Sequence, residues 1–269
     1  MTVSELLRSG RVGDARIRQV EVVKANPGDA GARMILFQIL AFLGEWDKAE
    51  RHLDILSQQN SKTETGVQFY RNLVAAERHR GAVLRGERLP EFMTTEPAYL
   101  SRCFAFREYL AVGRINDASS LLAEIDPLMP ELSGVADGVP FSGFSDTDAS
   151  LFPFLELFIH DRYLWMPFTS LRELTVPQPT TLLELLWTPA QVVTWDGLTS
   201  NCVLPVLYPD SASHEDEQVR MGRTTDWREW GGGFSRGYGQ HVYQVGEEEK
   251  SLLELREVTF TAAPTKVES

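Results

Sequence analysis

Gly10 and Gly44 lie thirty-four residues apart, and Leu6 with Leu40, Ala15 with Ala49 and Asn26 with Asn60 repeat that offset. Internal duplication constrains a fold strongly, because each unit must bury its apolar face against its neighbour. A period of thirty-four is that of tetratricopeptide helix pairs. The spacing of Gly, four residues, then Ala recurs at Gly113/Ala118, and small residues of this kind suit the place where paired helices cross. A proline twelve residues past the alanine should close the second helix. Pro27 and Pro130 sit at that distance, while the middle unit carries Ser61. Stacked helix pairs leave a curved groove able to hold a peptide, so function is sought first in binding.

The chain has 269 residues, of which 43% are hydrophobic and 10% aromatic, enough for one large core or two modest ones. We expect a multidomain α and β protein: a TPR-like α-superhelix over residues 1–132, then an α+β domain with antiparallel strands over 133–269. No stretch approaches the roughly twenty apolar residues of a membrane span. Arg8, Arg11, Arg16 and Arg18 are spread along predicted helices and do not form a basic leader, so a cytoplasmic location is expected. Cys103 and Cys202 are too few for a disulfide framework and read as core fillers. Net charge is −12. Residues 1–137 carry 17 basic and 19 acidic groups and the remainder 9 and 19, so the second half holds most of the excess. An acidic surface repels phosphate backbones and anionic lipid, which argues against nucleic-acid and membrane partners.

About seven helices are expected before Leu132. Asn26 is the expected cap of the helix around Met34–Phe42, with Pro27 at its first position and Asp29 near its positive end. Ala49, Leu53 and Leu56 mark one face of the next helix, and Val67, Tyr70 and Val74 begin another. Gly113 falls two periods past Gly44, leaving room for a divergent pair, and Thr95–Pro97 should open the helix carrying Leu100, Phe104 and Leu110. Gly, Ser and Pro then dominate Ser133–Ser145, expected as a boundary loop. Asp146–Ile159 reads as one more helix. Strands are expected at Arg162–Phe168, Leu171–Val176, Gln191–Trp195 and Ser200–Leu207, the last two around Asp196–Gly197. A final hairpin should run from Gln240–Val245 through Gly246–Lys250 into Leu252–Phe260, with a frayed tail from Ala262 to Ser269.

Catalytic signals are weak. None of His52, His79, His160, His214 and His241 has another ligand at metal spacing. His160 beside Asp161 is no dyad, since neighbours on a strand face opposite sides. The five glycines of Gly231–Gly239 lack the lysine and Ser/Thr of a phosphate loop and read as a hairpin entry. Asp146 with Asp148, and Glu247–Glu249, read as a helix start and a solvated turn. No catalytic residue, metal ligand or cofactor site is assigned. The alternative retained is a small-molecule hydrolase or sensor in the C-terminal half. Five of six tryptophans lie in the second half, as core or as interface anchors, and Arg71, Arg78, Arg80, Arg85 and Arg88 form either a solvated face or a patch for a partner.

Local words run in order along the chain: Phe37, Gln38, Leu40 before Gly44, Glu45, Trp46; Asp137, Gly138, Pro140, Phe141 before Asp146 and Asp148; Asp161, Arg162, Tyr163, Trp165, Pro167, Phe168. They continue with Leu186, Trp187, Thr188, Pro189, Ala190; Tyr208, Pro209; Thr225, Asp226, Trp227; and Gly237, Gly239, Gln240. With the helical front, this set resembles the ImpE family, known also as TagJ, of bacterial type VI secretion accessory proteins, over nearly the whole chain. Gly231–Gly233 and Ser211–Glu217 look longer or more flexible than that pattern. The resemblance implies a cytoplasmic, non-enzymatic protein without cofactor. Its partner would be the small contractile-sheath subunit, held by a helix near that subunit's N-terminus, and its effect would fall on sheath assembly or on recycling by the AAA+ unfoldase. Candidate partner-binding residues are Arg71, Arg78, Trp165, Phe168, Trp187 and Trp227.

Overall fold

The computed structural model describes residues 1–59 and 64–261. Asn60 and Ser61 of the repeat, and the tail Ala262–Ser269, lie outside the described residues. Seven helices fill the first half: α1 (Val3–Arg8), α2 (Val12–Ala25), α3 (Ala30–Phe42), α4 (Trp46–Gln59), α5 (Glu64–Leu84), α6 (Leu100–Ala111) and α7 (Ile115–Ile125). None among the described residues is long and apolar enough to cross a membrane.

The repeated Gly and Ala have separate physical causes. Gly10, Gly44 and Gly113 follow α1, α3 and α6 at φ of 75°, 63° and 73°, the left-handed region that side chains with a Cβ disfavour. At each, the glycine N–H donates three residues back (Gly44 to Ala41 O, 3.0 Å) and the next N–H five back (Glu45 to Leu40 O, 3.0 Å), closing the helix in a Schellman turn. Ala15, Ala49 and Ala118 are 0% exposed, so only the alanine answers to the helix crossing.

Three expectations in this half are corrected. Asn26 ends α2, and Asp29 caps α3 by accepting the Ala32 N–H (2.9 Å), because Pro27 and Gly28 are used by the turn between the helices. The divergent pair before Gly113 is replaced by the long helix α5 and an extended segment in which β1 (Glu91–Phe92) pairs parallel to a strand of the second half. Pro90 and Pro97 flank that segment and disfavour helix there. Accordingly α6 begins at Leu100 and not at Thr95–Pro97.

The second half is rich in antiparallel sheet. Its strands are β2 (Ser133–Ala136), β3 (Val139–Ser142), β4 (Phe144–Asp146), β5 (Phe154–Ile159), β6 (Arg162–Pro167), β7 (Leu171–Thr175), β8 (Trp187–Thr194) and β9 (Thr199–Pro205). The short helix α8 (Glu217–Arg220) follows, then β10 (Asp226–Gly231), β11 (Phe234–Tyr238), β12 (Val242–Val245), β13 (Glu248–Ser251) and β14 (Glu257–Phe260). Nine strands form the main sheet in the order β1-β6-β5-β9-β8-β7-β14-β2-β3, beside a β13-β12-β4 sheet and the β10-β11 hairpin. The strands expected around Asp196–Gly197 are β8 and β9, and the Gly231–Gly233 run is the β10-β11 turn, with positive φ at all three glycines.

Ser133–Ser145 is not a loop. It forms the β2-β3 hairpin, turned at Asp137 (φ 51°) and Gly138 (φ 83°), and continues into β4. Asp146–Ile159 is not a helix. Phe154 to Phe158 are buried on both faces of β5, so the alternation that marks a one-sided strand is missing and the run mimics a buried helix. The final hairpin turns earlier than expected, at Gly246–Glu247 into β13, and β14 leaves it to join the main sheet between β7 and β2.

One apolar core runs through both halves. Phe104 of α6 stacks on Trp165 of β6 (5.8 Å between ring centroids), and Phe106 packs edge-on to Phe152 (5.8 Å) and Phe234 (5.3 Å). The segment around Ser211–Glu217 is tied down where α1 meets α2: Glu217 accepts the Gly13 N–H (2.8 Å), Gln218 donates to Ser9 O (3.0 Å) and Arg223 to Leu7 O (2.9 Å). The Gly13 N–H is one that a helix start leaves unpaired, and Leu7 O, already bonded by the Gly10 N–H, accepts a second donor.

Gly113 has open space around its missing Cβ, so Gly113→Ala isolates backbone strain. It should lower stability by about 1–2 kcal/mol, whereas Ala118→Leu, which overfills a closed crossing, should lower it by about 1–3 kcal/mol. Urea unfolding followed by circular dichroism measures both, and an unchanged midpoint for Gly113→Ala would contradict the cap assignment.

Candidate functional site

Four elements send charged side chains into one enclosed spot. Arg80 projects from α5 on the same buried face as Ala76 and Val83. Its Nε donates to Glu156 Oε1 of β5 (2.9 Å), and Nη2 donates to Glu156 Oε2 and to Leu207 O (2.8 Å). His241, just before β12, donates Nδ1–H to Asp146 Oδ2 (2.8 Å) at the end of β4 and Nε2–H to Glu156 Oε2 (3.1 Å). Tyr208 donates to Asp146 Oδ1 (2.7 Å), Tyr163 donates to Glu156, and the Trp165 indole N–H donates to Tyr163 Oη. Asp148 accepts the Gly237 N–H (2.9 Å). Gly237 lacks a Cβ of necessity, since Tyr208 ring atoms lie 2.3 Å from where one would be. These groups come from residues 80 to 241, yet most belong to the words that carry the family resemblance.

Electrostatics follow from enclosure. Burial alone would depress the His241 imidazolium, but Asp146 and Glu156 outweigh it and hold the pKa up at about 9. Burial likewise works against the Glu156 carboxylate, yet Arg80 and His241 hold it well below the ordinary carboxylate range. Asp148 is pushed up, by burial first and the neighbouring Asp146 second. His241 is 1% exposed and enclosed by its partners, with Arg80 Nη2 also 3.4 Å from Nε2. Burial pushes the Cys103 and Cys202 thiols up to about 12, so neither is a nucleophile at neutral pH. His160 stands at an exposed β5-β6 turn with φ 56°, and among the described residues no three His, Cys, Asp or Glu converge in a ligand set.

Beside this spot, an aromatic seam joins two open clefts where helices meet sheet. Phe69 and Tyr70 of α5 (5.4 Å), Phe37 of α3 (5.3 Å from Tyr70), Trp187 of β8 (6.5 Å from Phe37) and Trp46 of α4 (6.1 Å from Trp187) form a continuous run of rings. At one end a shallow cleft of about 120 Å³ is lined by Phe69, Tyr70, Trp187 and Pro189. At the other, a cleft of about 290 Å³ is lined by Trp46, Glu77, Arg80, Leu84 and Asp210. The Trp187 indole N–H donates to Glu77 Oε1 (2.9 Å), and burial pushes the Glu77 carboxyl up despite Arg80 and Trp187.

The six candidate residues do not assemble into one surface. Trp165 and Phe168 are core, at 0% and 1% exposure; Trp165 is sandwiched near Phe154 and Phe104 with the Arg107 guanidinium 4.8 Å from its ring. Arg71 binds Asp54 (2.7 Å), and Arg78 binds Asp47 (2.7 Å) and Glu50 (2.8 Å), so both fasten α5 to α4. Trp227 is half-buried against Tyr208 (5.7 Å). Trp187 alone of the six lies on the seam. Sequence reasoning missed Glu77, Trp46 and the Arg80–His241 cluster. The face shared by Ala76, Arg80 and Val83, one turn and two turns apart, is the signal that sets Arg80 apart from its surface neighbours.

A family model described as "ImpE protein" matches residues 138–259. A Pseudomonas aeruginosa protein described as "Type VI secretion system accessory component TagJ" is 30% identical over 260 residues, 97% of this chain and 91% of that one. A crystal structure of a Vibrio parahaemolyticus protein matches with a TM-score of 0.88 at 24% identity, over 97% of each chain, which shows a shared fold.

Removing one partner from a buried ionic set strands the other charges. Arg80→Met should therefore lower stability by about 3–5 kcal/mol in urea unfolding, far more than Arg78→Met on the exposed side of the same helix. His241 has a raised pKa, so its contribution is complete below about pH 6.5 and is lost as pH rises through about 9. The thermal midpoint should fall between about pH 8 and 10, with the fall much reduced in His241→Gln; an equal fall in both would contradict the imidazolium assignment.

Proposed function

This chain belongs to the ImpE family, and on that premise we propose that it is a non-enzymatic accessory component of a bacterial type VI secretion system, acting as a docking protein in the cytoplasm. Its partner is the small contractile-sheath subunit, engaged through a helix near that subunit's N-terminus. The outcome is modulation of sheath assembly or of recycling by the AAA+ unfoldase, without a bond made or broken. The observation that supports this most is the aromatic seam, open at both ends, at the junction of helices and sheet. An amphipathic helix seated at the clefts would set its apolar anchors on Phe69, which is exposed, and on the half-buried Trp46, over the buried Phe37 and Trp187 that support them. Aromatic residues in such positions tend to dominate binding energy.

A hydrolase or sensor in the C-terminal half gains no support. Its perturbed ionisable groups are enclosed and partnered: His241 lies between Asp146 and Glu156, and Asp148 accepts from Gly237 and Ser150. With a net charge of −12, nucleic acid and anionic membrane are poor partners.

A peptide spanning the N-terminal helix of the sheath subunit should bind this protein in calorimetry and raise its thermal midpoint. Phe69→Ala and Trp46→Ala should weaken it by about tenfold or more, while Val139→Ser on the distant sheet edge should have no effect. No binding to the unaltered protein, or equal losses at Val139 and the seam, would contradict the docking proposal.

A further inference from the structure

We infer that a cleft beneath the turn after α7, where the helical half meets β4 and β5, is a binding site for a small uncharged organic molecule with an apolar body and a carbonyl oxygen that accepts a hydrogen bond from Tyr99. This cleft shares no lining residue with the seam or its two clefts, so the inference does not rest on the docking proposal. It also differs from a hydrolase or sensor confined to the C-terminal half, since its walls come from both halves and use none of the His241 cluster.

Tyr99 is the decisive residue. It is 4% exposed, and among the described residues its hydroxyl is one of four buried side-chain polar atoms that make no hydrogen bond. Thr169 lies near enough to act on the Tyr99 pKa but not in hydrogen-bond geometry, and both residues line the cleft. A buried polar group left unpaired is costly and rare, so this one calls for a cause. Burial pushes the phenol up to about 12, so it keeps its proton at neutral pH and has a donor to offer. The backbone nearby is already satisfied: the Gly143 N–H donates to Leu132 O (2.8 Å), and Gly143 O accepts the Gly246 N–H (2.9 Å).

The remaining walls are apolar and fixed. Met129 and Leu132 follow α7, Phe144 belongs to β4, Phe152 precedes β5 and Phe168 follows β6. Phe144 meets Phe168 edge-on at 5.0 Å, and Phe106 of α6 backs Phe152 at 5.8 Å. Nothing lies within 4 Å of where a Gly143 Cβ would stand, which keeps one side of the cleft open. About 290 Å³ is near the lower end of small-molecule pockets, room for a substituted ring and not for a helix. Charge narrows the ligand further. Asp126 and Glu131 are exposed at the rim and no lysine, arginine or histidine lines the cleft, so an anion would meet carboxylates and no cation. A cation would leave its charge among the phenylalanines, away from those acids. A peptide carbonyl would bring its amide N–H into the same apolar interior, whereas a ketone or ester brings the acceptor alone.

The test titrates the full chain with acetophenone, with α-methylstyrene, which has CH2 in place of the carbonyl oxygen, and with benzoate, while following the Met129 methyl signal by NMR. Acetophenone should shift that signal, α-methylstyrene should bind about three- to tenfold more weakly, and benzoate should not bind detectably. Tyr99→Phe removes an oxygen without a partner, so its thermal midpoint should be unchanged or higher, and it should bind acetophenone and α-methylstyrene alike. Equal affinities of these two for the unaltered protein, no Met129 shift with acetophenone, or benzoate binding as tightly as acetophenone would overturn the inference. So would a preference for acetophenone that survives in Tyr99→Phe. A lowered midpoint in Tyr99→Phe would show the hydroxyl already bonded in the free protein and would overturn it as well.

Discussion

Arg80 and His241 share Glu156, and Asp146 holds the other nitrogen of His241, because α5, β4, β5 and the residue before β12 meet at one point. Taking such groups out of water is costly, and their mutual attraction offsets that cost only when each finds its partner with good geometry. A small slip of α5 against the sheet would leave Glu156 buried without Arg80. The alignment of the helical half on the sheet is therefore fixed by hydrogen-bonded charge, while aromatic packing around Trp165 and Trp187 joins helices to sheet in the apolar core.

The same arrangement encloses His241, whose two nitrogens face Asp146 and Glu156. Nearby, Glu77 extends the same pattern: the Trp187 indole N–H donates to one of its oxygens and Arg80 stands 3.6 Å from the other. Trp187 thus links the aromatic seam, through its ring, to the charged cluster, through its N–H.

Legibility differed by element for identifiable reasons. The repeat at Gly10, Gly44 and Gly113 was readable from its spacing, but spacing alone pointed to a helix crossing, because a Schellman turn demands glycine at a place that falls in register with the repeat. β8 and β9 were readable from a turn pair between apolar runs. By contrast β5, buried on both faces, has no period to read, and β2-β3 is built from residues that equally make loops. Trp165, Phe168 and Trp187 look alike as words in a sequence and all three are buried; only packing shows that Trp187 alone stacks against Trp46 and bonds Glu77.

The sequence by itself determined the paired helices, most of the strands, the family and the absence of a phosphate loop or spaced metal ligands, because each of these is written in local spacing. What only the tertiary structure decided was which of the many charged residues are enclosed, which aromatic rings pack in a continuous run, and which partners each buried carboxylate finds. Those properties depend on residues such as Arg80 and Glu156, 76 positions apart, approaching within hydrogen-bond length, and no local pattern encodes a distance of that kind.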